Sequence, residues 1–210
     1  MEKILENRIS LDTIDASRTA ILAIHWQNDA AKPDGAFGPS FAKTVQDSGV
    51  IGRTVSLVDV GRSRGARVAY VNVAFWPDCK GLPRNNSLFN TVVRTGAFKR
   101  GTRGAEVIDE LSPSFDDYIF EHSRISGFYG TELDAVLRAD GIENLLLTGI
   151  ATNVAVDHTA RDAAQFGYKV FVVEDCCCSS DQQHHDAALA TLRVVATEVL
   201  TLKECIERLR

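Results

Sequence analysis

Asn144-Leu-Leu-Leu-Thr-Gly149, continued by Ile150-Ala-Thr-Asn153 and Val154-Ala-Val-Asp-His-Thr-Ala-Arg161, is the stretch on which the fold turns. Its three consecutive leucines show no polar alternation, as a strand covered on both faces requires. A small-residue turn follows. From Asn153 to Phe166 the pattern becomes that of an amphipathic helix, with Gly167 just past its last turn, where glycine accepts the left-handed C-cap conformation without a Cβ penalty. Tyr168-Lys-Val-Phe-Val-Val173 is again strand-like. Strand, helix, glycine and strand in that order make a parallel crossover unit.

The same order recurs outward from this unit. Thr19–His25, Arg67–Val73, Asp117–Glu121 and Ala196–Thr201 read as further strands. Ser48–Arg64 before Gly65, Gly130–Asp140 before Gly141, and Gln182–Val195 read as helices. The expected architecture is an α/β protein, a three-layer α/β/α sandwich around a central, mostly parallel six-stranded sheet. The repeat is interrupted by 75–104, a stretch containing Pro, Asn and Gly that is too long for a plain connector and is therefore expected to shape a pocket. No repeat or linker divides the chain, so 1–210 is expected to be a single domain, with 1–17 as an N-terminal extension.

Composition narrows the functional classes. Hydrophobic residues at 45% and charged residues at 24% of the 210 exclude a disordered or coiled-coil chain. A net charge of -5 without a Lys/Arg cluster argues against a nucleic-acid partner. No apolar run has the length of a membrane span or a signal h-region, so a cytoplasmic protein with no membrane partner is expected. Of the five cysteines, Cys176, Cys177 and Cys178 are consecutive; they lack zinc-site spacing and an evident histidine partner, and are expected to be packing thiols.

In an open parallel sheet, ligands bind beyond the carboxyl ends of the strands. Three such ends carry His25-Trp26-Gln27-Asn28-Asp29, His122-Ser123-Arg124 and Gly149-Ile150-Ala151-Thr152-Asn153, and the second strand ends in Phe75-Trp76-Pro77-Asp78. His25 and His122 are the candidate catalytic residues, because imidazoles titrate near neutrality and two facing one cavity can divide general base and general acid roles. The turn after Gly149 points backbone N–H groups and a helix N-terminus at one spot, suiting a carbonyl oxygen or anion; Thr152 or Asn153 can equally cap that helix. The candidate substrate-binding set is Asp29, Phe75, Trp76, Arg84, Tyr129, Ile150, Ala151 and Ala155, with Arg84 or Arg124 available to meet a substrate carboxylate. His184-His185 is read as a surface or cap pair, since neighbours on a helix point about 100° apart.

Three motifs resemble one family. Ile21-Leu-Ala-Ile-His-Trp-Gln-Asn-Asp29 is similar to the first-strand motif of isochorismatase-like hydrolases, which runs into an Asp and ends in Gln-Asn-Asp. Phe120-Glu-His-Ser-Arg-Ile-Ser-Gly-Phe-Tyr-Gly-Thr-Glu-Leu133 resembles their second motif, a Lys followed by Ser-x-Phe-x-x-Thr-x-Leu. Leu147–Val156 with Ala160-Arg-Asp-Ala163 resembles the third, in which the nucleophilic Cys opens a helix. The resemblance covers about residues 18–203 and implies the fold already inferred, hydrolysis of amides or of a vinyl ether, a small-molecule substrate and a homo-oligomer, either dimer or tetramer. It also implies a cis peptide at Ile150-Ala151.

Position by position, the family's Asp falls on His25, its Lys on His122 and its Cys on Ala155. Alanine offers no nucleophile, so the cysteine mechanism is not inherited. The expected activity is therefore hydrolysis of a small carbonyl, amide or enol-ether compound by non-covalent acid/base chemistry with His25 and His122, a protonated His25 being one source of the acid. The alternative is an inactive member that binds a small carboxylate or amide. Many nicotinamidase relatives hold a metal on an Asp-x-His after the second strand; Phe75-Trp-Pro-Asp-Cys79 stands there instead, so no metal and no cofactor is expected.

Overall fold

The triple-leucine segment is buried from end to end, Asn144 to Ile150. In the computed structural model, which describes residues 12–210, it is the fourth of six strands. These are β1 (Thr19–Ile24), β2 (Arg67–Val73), β3 (Tyr118–His122), β4 (Asn144–Ile150), β5 (Lys169–Cys178) and β6 (Glu198–Leu200). They form one sheet in the order β3-β2-β1-β4-β5-β6, and all neighbouring pairs run parallel. Among the described residues eight α-helices accompany them: α1 (Asn28–Ala31), α2 (Gly38–Ser48), α3 (Val50–Ser63), α4 (Ser87–Thr95), α5 (Leu133–Ala139), α6 (Asp157–Gln165), α7 (Gln182–Val195) and α8 (Leu202–Arg208).

The strand pleat divides the core into two layers. Ile21, Val68, Tyr70, Leu146 and Phe171 face one cluster, shared with Leu57 of α3, Phe89 of α4 and Cys205 of α8. Leu22, Val71, Leu145, Leu147 and Val172 face the other, shared with Leu137 of α5, Ala160 of α6 and Leu192 of α7. Because both faces are covered, the central strands need apolar residues at every position, which is the pattern that marked them in the sequence.

Several boundaries differ from the sequence reading. The helix expected over Ser48–Arg64 is α3, and a further helix, α2, precedes it and ends at Gly49, whose φ is 67°. The helix expected over Gly130–Asp140 is confined to Leu133–Ala139. The interrupting stretch contains α4, capped by the Asn86 side chain, which accepts from the Phe89 amide at 3.0 Å. β5 runs on through Cys176–Cys178, whose thiols are buried and unpaired. Burial pushes all three thiols up, as packing cysteines require. Of the expected N-terminal extension, 1–11 lies outside the described residues. Ile14 is buried and exchanges backbone hydrogen bonds with the C-terminus, donating to Arg208 and accepting from Arg210, each at 2.8 Å. Among the described residues no helix is long and apolar enough to cross a membrane.

Candidate active site

The sheet order reverses at β1, which has β2 on one side and β4 on the other. Loops leaving the carboxyl ends there diverge and open a crevice. His25 is the first residue beyond β1, and its φ of 55° is a left-handed conformation that few non-glycine residues adopt. His122 is the last residue of β3, two strands away. The imidazoles lean toward each other above the end of β2, with centroids 4.9 Å apart, planes inclined by 21°, and Nε2 of one 2.8 Å from Nε2 of the other.

This contact fixes the proton positions. Nδ1 of His122 is 2.9 Å from the Arg124 carbonyl oxygen, which can only accept, so His122 donates from Nδ1. In a neutral ring Nε2 is then the acceptor, and His25 must donate to it from its own Nε2. Nδ1 of His25 is left with a lone pair and no protein partner among the described residues, in a residue that is half-buried. Both rings are held neutral at ordinary pH. Burial lowers the His25 pKa well below the usual imidazole value and the facing His122 lowers it further. Burial lowers that of His122 to about 4, against the opposing pull of the Arg124 carbonyl.

His25 forms part of the wall of a cavity of about 90 Å³. Phe75, Ile150, Ala151 and Ala155, all expected at the site, line it too, as does Arg124. The Ile150-Ala151 peptide is cis, as the resemblance implied. The Ala151 carbonyl accepts from the amides of Val154 and Val156 at 3.1 and 3.2 Å, coiling Thr152–Val156 into a wide π-type turn that leads into α6. Neither Thr152 nor Asn153 caps that helix. The Thr152 hydroxyl lies 2.8 Å from Nδ1 of His185, and the Asn153 side-chain oxygen accepts from Ser179.

Gly149, just before this turn, is required by close packing. A Cβ there would lie 2.3 Å from the Ile24 carbonyl oxygen, at a φ of 150°. The neighbouring β1 and β4 can thus place His25 and the Ala151 turn side by side only with glycine at this position.

Four expected binding residues are not brought to this cavity. The Asp29 carboxylate accepts from the amides of Ala36 at 3.1 Å and Phe98 at 2.6 Å, so it ties two loops together. Trp76 is 49% exposed and sandwiched between Lys80 and Arg100, 5.0 and 4.4 Å from its ring centroid. Tyr129 is 67% exposed, and Arg84 lies at the surface. The rest of the first motif has the same buttressing character as Asp29. Gln27 brackets Val73, accepting from its N–H and donating to its carbonyl, both at 2.9 Å, and Asn28 donates to the carbonyls of Arg103 and Glu106.

The wall residues that escaped sequence reasoning are aromatic and aliphatic, and include Phe37 and Phe41 from around α2, Leu88, Phe89 and Val92 from α4, and Phe98. Their one legible signal was the length of 75–104, which contains four of them. At the end of β2, where relatives' metal ligands were considered, Asp78 accepts from the Lys80 amide. Among the described residues no group of three His, Cys, Asp or Glu side chains converges as a metal site would require, so the residues present do not fit a resident ion.

Comparison with known proteins agrees with this fold. The chain is similar to the ureidoacrylate amidohydrolase RutB of Caulobacter vibrioides, with 33% identity over 175 residues that span 77% of each protein. Its fold matches a cysteine hydrolase from Pseudomonas syringae pv. phaseolicola, with a TM-score of 0.86, 27% identity and 96% of both chains covered. It also matches N-carbamoylsarcosine amidase from Thermoplasma acidophilum, with a TM-score of 0.69 and 28% identity over 88% of this chain and 96% of that one. The family model of the isochorismatase domain matches residues 19–204, and the chain belongs to that family.

Proposed function

We propose that this protein is a hydrolase of a small carbonyl, amide or enol-ether compound that works without a covalent intermediate, using the His25–His122 pair. The observation that carries this reading is the 2.8 Å contact between the two Nε2 atoms, with His25 at the wall of the cavity and His122 behind it. With His122 anchored on the Arg124 carbonyl, the pair offers one unprotonated nitrogen, Nδ1 of His25.

With a carbonyl or amide substrate, Nδ1 of His25 takes a proton from a water molecule as that water attacks the carbonyl carbon; an enol ether is hydrolysed only after its double bond is protonated at carbon, which requires His25 to start protonated. The positive charge formed on His25 is shared along the Nε2–H···Nε2 bond with His122, whose Nδ1–H stays on Arg124. The substrate oxygen sits toward the Ala151 turn and the N-terminal end of the segment leading into α6, where backbone dipoles favour negative charge. When the C–N or C–O bond breaks, His25 returns the proton to the leaving atom. Ala155 occupies the place from which a nucleophile would act and leaves room for the water instead. The lowered pKa values favour His25 starting as a base over its starting as a protonated acid.

The relatives support the kind of bond cleaved. RutB is named for hydrolysis of a ureidoacrylate and the Thermoplasma protein for that of a carbamoyl amide. The test is product formation from a panel of small amides, ureides and enol ethers, followed by NMR, with wild type, His25→Ala and His122→Ala. Turnover in wild type with loss in both variants is expected. Equal rates in all three proteins would refute the proposal.

A further inference from the structure

The cavity beside His25 is almost entirely hydrocarbon. Phe37, Phe41, Phe75, Phe89 and Phe98 line it together with aliphatic side chains. Among its lining residues only His25 and Arg124 are ionisable. The Arg124 guanidinium is directed elsewhere: Nη1 donates to the Ser123 carbonyl at 2.7 Å and to its hydroxyl at 3.1 Å, and Nη2 donates to the Gly81 carbonyl at 3.1 Å. Neither Ser123 nor Gly81 lines the cavity. The arginine is thereby committed to bracing the loop after β3 against the loop after β2.

A carboxylate entering this space would lose its water, and the one cationic group at its wall, Arg124, already holds three acceptors outside the cavity. The imidazoles supply no compensating charge near neutral pH, because burial keeps both unprotonated. A neutral amide, ketone or enol ether keeps only a carbonyl or ether oxygen to satisfy, and the backbone at Ala151 is the adjacent polar surface. Its hydrocarbon substituent gains from contact with the five phenylalanines.

We infer that the cavity selects an uncharged substrate with a compact aliphatic or aromatic substituent and rejects the corresponding carboxylates. This rests on reading the cavity as the substrate site. It gives the hydrolysis a direction: cleavage of an amide whose acyl part sits in the cavity adds water across the C–N bond and yields an amine and a carboxylate, and the same apolar wall expels that acid. Product inhibition by the acid is accordingly weak.

Matched pairs test the inference, namely isobutyramide against isobutyrate and benzamide against benzoate at pH 7.5, with affinities measured by ligand-observed NMR. The amides are expected to bind at least about tenfold tighter than the acids, in line with the cost of burying an unpaired charge. Leu88→Lys, which puts a cation on the half-buried rim position of α4, should reverse that preference, whereas Arg124→Met should leave the amide-to-acid ratio within about twofold. Acids that bind as tightly as amides, a selective loss of acid binding in Arg124→Met, or no binding of either class would each overturn the inference. Amides bound selectively but recovered intact would uphold this selectivity while defeating the hydrolase reading.

Discussion

The protein contains two pairs of histidines, and they are opposites. His184 and His185 are adjacent in sequence and separate in function. His184 turns to the surface, where its Nδ1 lies 2.6 Å from the Asp181 carboxylate, and His185 turns inward to the Thr152 hydroxyl. His25 and His122 are 97 positions apart in the chain and share a hydrogen bond. Helix geometry splays the first pair, whereas parallel topology delivers the second to one end of one sheet. Water explains the chemical contrast: His184 is exposed, but desolvation holds both members of the distant pair neutral. A histidine cluster is thus created by strand order and burial, not by proximity in sequence.

The comparison breaks most sharply at His25. His25→Ala should lower turnover by about 10²–10⁴-fold, the usual worth of a positioned general base, with little loss of folding; the corresponding His184→Ala should leave steady-state rates unchanged. His122→Ala should cost about 10²-fold in kcat and, because the buried Arg124 carbonyl loses its donor, about 1–3 kcal/mol in a urea titration. Unaltered stability there would mean that the carbonyl is not anchoring the ring.

Acid titration reads the burial of the distant pair. The folded-state pKa of His25 and of His122 lies below the unfolded value near 6.5, so the unfolded chain binds more protons in the interval between. The stability that this neutral pairing contributes is complete above about pH 6.5 and is lost as pH falls toward 4. For His122 alone the loss is on the order of 3 kcal/mol, and denaturant unfolding at pH 7 and 4.5 measures most of it. A His122→Gln protein should show a shallower pH dependence. A smaller effect is expected at His185, where His185→Ala should change kcat by a few-fold through a loosened Thr152 turn and His185→Asn should restore part of it.

Much of this was legible in the chain, for physical reasons that differ from place to place. Strands buried on both faces must be apolar throughout, so Asn144–Gly149 and Thr19–His25 announced themselves, and the strand-end rule placed His25, His122 and Ala151 on the same edge. Helix α2 was missed because Pro39 and Gly38 open it and Gly49 closes it close to the next helix, which disguises its periodicity. Phe37 and Phe41 were lost with it. Asp29 and Trp76 were placed in the pocket because polar and aromatic residues near a strand end invite that reading; Asp29 instead satisfies loop amides, and Trp76 is held outside by two cations. Which way a side chain turns from a loop depends on partners that are remote in sequence, such as Phe98 for Asp29, and local pattern carries no trace of them.

The protonation pattern of the distant pair is the center of the account, and ¹⁵N-edited NMR of imidazole-labelled protein at pH 7 reads it directly. His122 is predicted to be neutral with its proton on Nδ1, and His25 neutral with its proton on Nε2 and a bare Nδ1. A doubly protonated ring in either residue, a proton on Nδ1 of His25, or titration of either near pH 6.5 would contradict it.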